Sequence, residues 1–250
     1  MINILLIGCN GRMGRVITNV LSSDDSAEIV CGYDINTESS AYPVYNDLSK
    51  VTEKADVVID FSNPACLDSV VDFCAERKIP LVEATTGLTP EQSAKVKALS
   101  SEVPVFSSAN MSLGINLLIN LVKKAASILE GSFDIEIIEK HHNQKVDAPS
   151  GTALMIADGI ASTLKGESEY VYDRHSVRKK REAKEIGIHA VRGGTIVGDH
   201  SVIFAGNDEV IEISHSAAGK EVFAVGAVKA AKFLVGKKAG LYSMEDLVGA

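Results

Sequence analysis

Apolar residues fall into two alternating kinds of run along the first hundred or so positions. Short β-rich stretches at 2–7, 28–33, 56–61, 80–83 and 104–107 lack polar alternation, which predicts strands covered on both faces. Between them, segments 12–21, 65–78 and 90–100 fit helices. The last opens with Thr89, Pro90 and Gln92: an N-cap, a proline at the first helical position and a capping-box partner. Strands and helices in regular alternation predict a parallel sheet in a doubly wound α/β domain.

After about residue 112 the rhythm changes. A long helix over 113–130 leads to a strand at 133–139, a Pro/Ser/Gly turn and a helix over 152–165. A charged stretch, 166–184, shows no clear period. Runs at 186–191, 201–204 and 210–214 then follow one another without helices, which predicts a mixed or antiparallel sheet in a second, α+β domain. An alanine-rich helix over 222–235 closes the pattern. The expected division is 1–112 together with 221–250 for one domain, and 113–220 for the other.

Composition narrows the function classes. A chain of 250 residues, 46% hydrophobic and 23% charged, is long enough to bury a sizeable core. With 25 Lys+Arg against 33 Asp+Glu, the charge of −8 argues against a partner such as nucleic acid or an anionic membrane held by bulk attraction. No uninterrupted apolar run reaches the roughly 20 residues of a membrane span. The opening MINILLIGCNG lacks a basic leader and reads as a strand rather than a signal peptide. Cys9, Cys31, Cys66 and Cys74 have neither CxxC spacing nor disulfide density, so they read as reduced thiols of a cytoplasmic protein.

The first candidate chemistry is Gly8-Cys9-Asn10-Gly11-Arg12-Met13-Gly14, between the first strand and the first helix. Glycines there allow a tight turn and let backbone approach a pyrophosphate at a helix N-terminus. Asn10 stands near the position of the second glycine in the commoner G-x-G-x-x-G string. Asp34 ends the second strand, twenty residues beyond Gly14, where a carboxylate can accept from adenosine ribose hydroxyls. The context points to a dinucleotide. No Lys or Arg occurs between 16 and 49, and a carboxylate repels a 2′-phosphate, so the expectation leans to NADH over NADPH, although Arg12 could reach.

The second is Glu139-Lys140-His141-His142-Asn143-Gln144-Lys145-Val146-Asp147-Ala148-Pro149-Ser150-Gly151-Thr152-Ala153. Imidazole suits proton transfer near neutral pH, lysine supplies a cation, and the Ser150-Gly151-Thr152 turn offers backbone N–H groups to an anion. Together they fit a small carboxylate-bearing substrate that is protonated during reaction. Asp147 and Pro149 are expected to shape the turn, and the remaining histidines (His175, His189, His200, His215) to be structural. With no cysteine nearby and no HExxH spacing, no metal is expected.

With GCNGRMG at 8–14, ATTG at 84–87, NMSLG at 110–114, EKHHNQKVDAPSGTA at 139–153, VRGGTIVGDHSVIFAG at 191–206 and EISHSAAGKEVFAVGA at 212–227, the chain resembles the 4-hydroxy-tetrahydrodipicolinate reductases nearly end to end. These oxidoreductases serve lysine and diaminopimelate biosynthesis. The resemblance implies an N-terminal Rossmann-like domain for NADH or NADPH, with Gly8, Gly11, Arg12 and Met13 at the pyrophosphate and Asp34 at the ribose. It places Thr85, Thr86, Gly87, Ala109, Asn110 and Met111 beside the nicotinamide. The second domain would bind a cyclic dicarboxylate and form a homotetramer interface. His141 matches the proton donor and Lys145 a second one; His142, Lys145, Gly151 and Thr152 match substrate contacts, beside Ser150 of the same turn.

Two departures stand out: Ile35 where some relatives carry an arginine suited to a 2′-phosphate, and Lys220 where the family usually has arginine. The run Arg178-Lys179-Lys180-Arg181, flanked by Glu182 and Glu185, is expected to be a solvated loop. Another two-domain amino- or keto-acid dehydrogenase, such as an aspartate dehydrogenase, would not need the HHxxKxDxPSGT string. A nucleotide-sensing regulator would not need His141 and Lys145 together.

Overall fold

The computed structural model describes residues 1–38 and 41–249. Two compact units emerge, Met1–Leu113 with Lys220–Ala250, and Gly114–Gly219.

In the first unit, β1 (Ile2–Ile7), β2 (Ala27–Tyr33), β3 (Val44–Tyr45), β4 (Val57–Asp60), β5 (Leu81–Glu83) and β6 (Pro104–Ser107) are all parallel. Helices α1 (Arg12–Leu21), α2 (Leu67–Arg77) and α3 (Pro90–Leu99) connect them. Strand β1 is apolar and fully buried from Ile4 to Ile7 because it is covered on both faces there. Ile4 and Leu6 face one core with Ile17 of α1, whereas Leu5 and Ile7 face another with Val70 and Phe73 of α2. The sheet order runs β6-β5-β4-β1-β2-β3, so the direction of winding reverses beside β1. That reversal opens a crevice at the carboxyl ends of β1 and β4. The predicted capping box is present: Gln92 N donates to Thr89 Oγ1 at 3.2 Å, and Thr89 N donates to Gln92 Oε1 at 3.0 Å.

In the second unit, α4 (Leu113–Leu129) and α5 (Gly151–Ala161) cover one face of a five-stranded mixed sheet. Its strands are β7 (Asp134–His141), β8 (Glu169–Val171), β9 (Glu185–Arg192), β10 (Gly198–Ala205) and β11 (Val210–Ala217), in the order β11-β10-β7-β9-β8. Strand β7 is central, antiparallel to β10 and parallel to β9. It runs two residues beyond the predicted end, to His141, because the pairing continues through His141 opposite Arg192. Its alternate positions Ile135, Ile137, Glu139 and His141 are buried, so two polar side chains extend the core-facing stripe.

The chain then returns to the first unit through α6 (Glu221–Leu234), whose alanines 224, 227, 230 and 231 are fully buried against the α1 side of the sheet. Strand β12 (Gly240–Tyr242) adds to β6, and α7 (Met244–Val248) follows.

One expectation changes and another is refined. The segment 166–184 was expected to be aperiodic, yet it contains β8, which pairs with β9. The basic run is a loop in which Arg178, Lys179 and Lys180 are exposed, as expected, and Arg181 alone turns inward. Arg181 is largely buried, with Nη1 2.8 Å from Asp134 and Nε 3.1 Å from Glu136, and Lys179 meets Glu182 and Glu185. The carboxylates along β7 and β9 supply the counter-charge that sequence spacing alone conceals.

Candidate active site

The glycine turn is shaped by what side chains would displace. Gly8 has φ +77°, and a Cβ there would lie 2.8 Å from the Phe61 carbonyl oxygen. At Gly14 a Cβ would overlap the carbonyl oxygens of Gly8 and Cys9, so α1 can start against the turn only without one. Asp34 ties the turn to β2. Its Oδ2 accepts from Asn10 N and its Oδ1 from Asn36 N, each at 3.0 Å. Each carboxylate oxygen retains a lone pair for an outside hydroxyl. The Asn10 side chain is engaged within the same loop region, its Nδ2 donating to the Asn36 carbonyl at 2.6 Å.

The crevice holds two adjoining hollows. The larger, about 560 Å³, is lined by Gly11, Arg12 and Met13 after β1, Ser62 after β4, Thr85 and Thr86 after β5, and Ala109, Asn110 and Met111 after β6. Lys220, at the N-cap of α6, adds a second cation beside Arg12. The smaller, about 360 Å³, is bounded by Tyr33, Asp34, Ile35, Ala65 and Cys66, an apolar slot with one carboxylate at its edge. A small-residue cradle, two cations and a flat slot next to Asp34 fit a pyrophosphate-linked dinucleotide. Gly87, with φ +81°, shapes the β5 loop without lining either hollow.

The second cluster lies where β7 ends and α5 begins. Glu139 is fully buried, and four donors converge on it. His141 Nδ1 lies 2.7 Å from Oε2, Arg192 Nη1 and Nη2 donate to Oε2 and Oε1 at 2.7 Å each, and Ser150 N donates to Oε1 at 3.0 Å. Burial alone would raise the Glu139 pKa, but the hydrogen bonds from Arg192, His141 and Ser150 hold it below the usual range. An ionised Glu139 only accepts, so Nδ1 of His141 carries hydrogen and Nε2 is left as the edge for proton exchange. Nε2 faces Gly198, where a Cβ would approach it to 3.1 Å.

His200 completes the cluster. Its ring stands edge-on to His141, centroids 5.2 Å apart, and its Nε2 lies 3.2 Å from Ser150 Oγ. Burial, then the neighbouring His141, pushes its pKa down to about 4, so it is neutral near pH 7. Ser150 is itself buried: its amide serves Glu139, and its hydroxyl accepts from Ala153 N at 3.1 Å as the α5 N-cap. The open part of that helix start is Gly151, which is exposed with nothing within 4 Å of its Cβ direction, followed by Thr152. Lys145 Nζ lies 3.0 Å from Asp147, whose carboxylate it holds below the usual range. Asp147 therefore does more than shape the turn. His142 is half-buried, and its carbonyl accepts from Lys145 N at 3.2 Å.

Sequence reasoning missed the roles of Glu139 and Arg192 and set His200 aside as structural. The i, i+2 spacing of Glu139 and His141 on a strand was an available signal, since it puts both on one face. Among the described residues no cluster of three or more His, Cys, Asp or Glu could hold a metal, and no helix is long and apolar enough to cross a membrane.

Comparison with known proteins adds an independent line. Residues 2–111 match the family model for the dihydrodipicolinate reductase N-terminus, and 114–248 match that for the C-terminus. The chain is 59% identical over 248 residues to the 4-hydroxy-tetrahydrodipicolinate reductase of Caldanaerobacter subterraneus subsp. tengcongensis, covering 99% of this chain and 98% of that one. It is 49% identical over 251 residues to that of Clostridium tetani, covering 100% and 98%. Among solved structures, a dipicolinate-bound dihydrodipicolinate reductase from Paenisporosarcina sp. TG-14 superposes with a TM-score of 0.83 at 25% identity, covering 98% of each chain.

Proposed function

The chain belongs to the dihydrodipicolinate reductase family, and from that premise we propose that it reduces 4-hydroxy-tetrahydrodipicolinate to tetrahydrodipicolinate, with loss of water, at the expense of NADH or NADPH. The carrying observation is the Glu139–His141–Arg192 cluster beside the start of α5. It joins a fixed proton-exchanging imidazole to an anion-attracting helix start in a chain of this family.

The first unit serves the dinucleotide. Gly8, Gly11, Arg12 and Met13 hold the pyrophosphate, Asp34 the ribose, and Thr85, Thr86, Ala109, Asn110 and Met111 the nicotinamide end. When bound, the reduced nicotinamide supplies hydride. The second unit serves the dicarboxylate. Lys145, His142 and the amides of Gly151 and Thr152 attract its carboxylates, and Lys145 leaves Asp147 to do so. His141, once it has taken a solvent proton on Nε2, gives that proton up as negative charge develops on the ring and returns to the Nδ1–H form, while Glu139 fixes its orientation. Ile35, exposed beside Asp34, supplies no partner for a 2′-phosphate, which favours NADH. Membership of the family is what supports a homotetramer, and the four unpaired cysteines suit a cytoplasmic setting.

A coupled assay tests the reading: a synthase generates the substrate in place, and oxidation of NADH and NADPH is followed in parallel. Turnover with NADH favoured is expected, and no turnover with either sinks the proposal. His141→Gln should lower kcat by roughly 100-fold while NADH affinity stays unchanged.

A further inference from the structure

Beneath the larger hollow, two carboxyl groups sit side by side in the sheet. Asp60 ends β4 and Glu83 ends β5, and the parallel register sets them directly opposite one another. Asp60 is 0% and Glu83 2% exposed. Each spends one oxygen on the chain just beyond it: Asp60 Oδ1 accepts from Ser62 N at 2.9 Å, and Glu83 Oε1 accepts from Thr85 N at 2.7 Å. Ser62 N also lies 3.2 Å from Thr85 Oγ1, which ties the two loops together. The other oxygens, Asp60 Oδ2 and Glu83 Oε2, are buried without a hydrogen-bond partner. Among the described residues no cation pairs with either group. The titratable groups that sense the pair are Cys74 on α2 and Tyr33 at the end of β2, neither of which is a cation at neutral pH. Cys66 lines the adjoining slot.

Two neighbouring buried carboxylates without a counter-ion cannot both remain ionised. We propose that Asp60 and Glu83 share one proton, and that this shared proton positions the Ser62 and Thr85 loops, making them a positioning pair for dinucleotide binding that touches no reactant. Burial, then the charge of Asp60, pushes Glu83 up to about 8. Burial likewise raises Asp60. At neutral pH the pair then carries one negative charge instead of two, and the repulsion between the neighbouring strand ends is relieved. When the proton leaves, two like charges face each other beneath a hollow meant for a pyrophosphate. The loops then separate, and the extra charge repels the ligand.

The inference rests on the larger hollow being the dinucleotide site, so its test separates the two claims. NADH dissociation constants are measured by titration calorimetry without substrate from pH 6.5 to 9.5, for wild type and Glu83→Gln. NADH keeps a constant charge over that range. The wild-type constant is expected to rise about threefold or more above pH 8, and that of the variant by less than twofold, since one nearby unit charge acts through a partly solvated site. Every other group around the hollows is unchanged in the variant, so the comparison isolates Glu83. Should the variant fail to fold, infrared difference spectra of wild type carry the test. A protonated carboxyl band present at pH 6.5 should vanish with a midpoint near pH 8. An equal rise of the two constants, or no such band, overturns the shared proton. Absence of NADH binding at every pH instead overturns the dinucleotide reading, and a carboxyl band then still reports on the pair.

Discussion

Glu139→Gln is the sharpest perturbation of the second unit, because it changes one charge and almost no volume. In the wild type, Oε2 accepts from His141 Nδ1 and Arg192 Nη1, while Oε1 accepts from Ser150 N and Arg192 Nη2. A glutamine whose carbonyl stays with Ser150 N presents its NH₂ to two groups that are donors themselves. The imidazole then keeps a hydrogen bond only by surrendering the Nδ1 proton, which moves hydrogen to Nε2. A doubly protonated ring, the form that can give up a proton, loses its acceptor. A hydrogen bond to a charged group contributes about 1.5–3 kcal/mol, and each ~1.4 kcal/mol of barrier is tenfold in rate. The expected fall in kcat is therefore roughly 10- to 100-fold. Arg192, with only 20% of its side chain exposed, loses its carboxylate as well, and breaking a buried pair costs about 3 kcal/mol of stability.

The assay is steady-state turnover with synthase-generated substrate, at a temperature where urea melts show the variant folded. NADH affinity, measured separately, should be unchanged, because Glu139 belongs to the other unit. A folded Glu139→Gln protein with kcat within twofold of wild type would refute the orientation argument. So would an equal loss of NADH binding, since that would mark a general structural defect.

Lys145→Ala removes the cation that now pairs with Asp147. It should raise the substrate KM and lower kcat, each about tenfold, and unaltered kinetics would count against a substrate contact. Ile35→Arg, at a side chain 87% exposed beside Asp34, should move the NADPH/NADH preference about tenfold toward NADPH; an unchanged ratio would remove Ile35 from cofactor choice. His200 is held near 4 in the folded protein against an ordinary value of 6.5, so the unfolded chain binds the extra proton first as pH falls. Its share of stability is complete above about pH 6.5 and is lost progressively down to about pH 4, an amount on the order of 3 kcal/mol. His200→Gln should flatten that part of the denaturation-midpoint curve, and an unchanged acid limb would show that other groups control it.

What the sequence made legible follows from the range over which each signal acts. The strand β1 and its glycine turn are local: an apolar run, three glycines at fixed spacing and an acidic residue at the end of the next strand. Helix α3 announced itself through three adjacent residues. The start of α5 was likewise readable, and His141 and Lys145 lie within ten residues of it. The partners of His141 are of another kind. Arg192 lies 53 residues beyond Glu139. It meets Glu139 only because β9 joins β7 in parallel with His141 opposite Arg192. A shift of one residue in that register would turn Arg192 to the other face and leave Glu139 buried with only His141 and the Ser150 amide as partners. The same logic hides Asp60 and Glu83, each an ordinary strand end until β4 and β5 are paired. Function here depends on register as much as on motif. The guanidinium that keeps Glu139 ionised beside His141 is set by how two strands align, so a substitution that slips β9 should damage turnover as severely as one that removes Arg192.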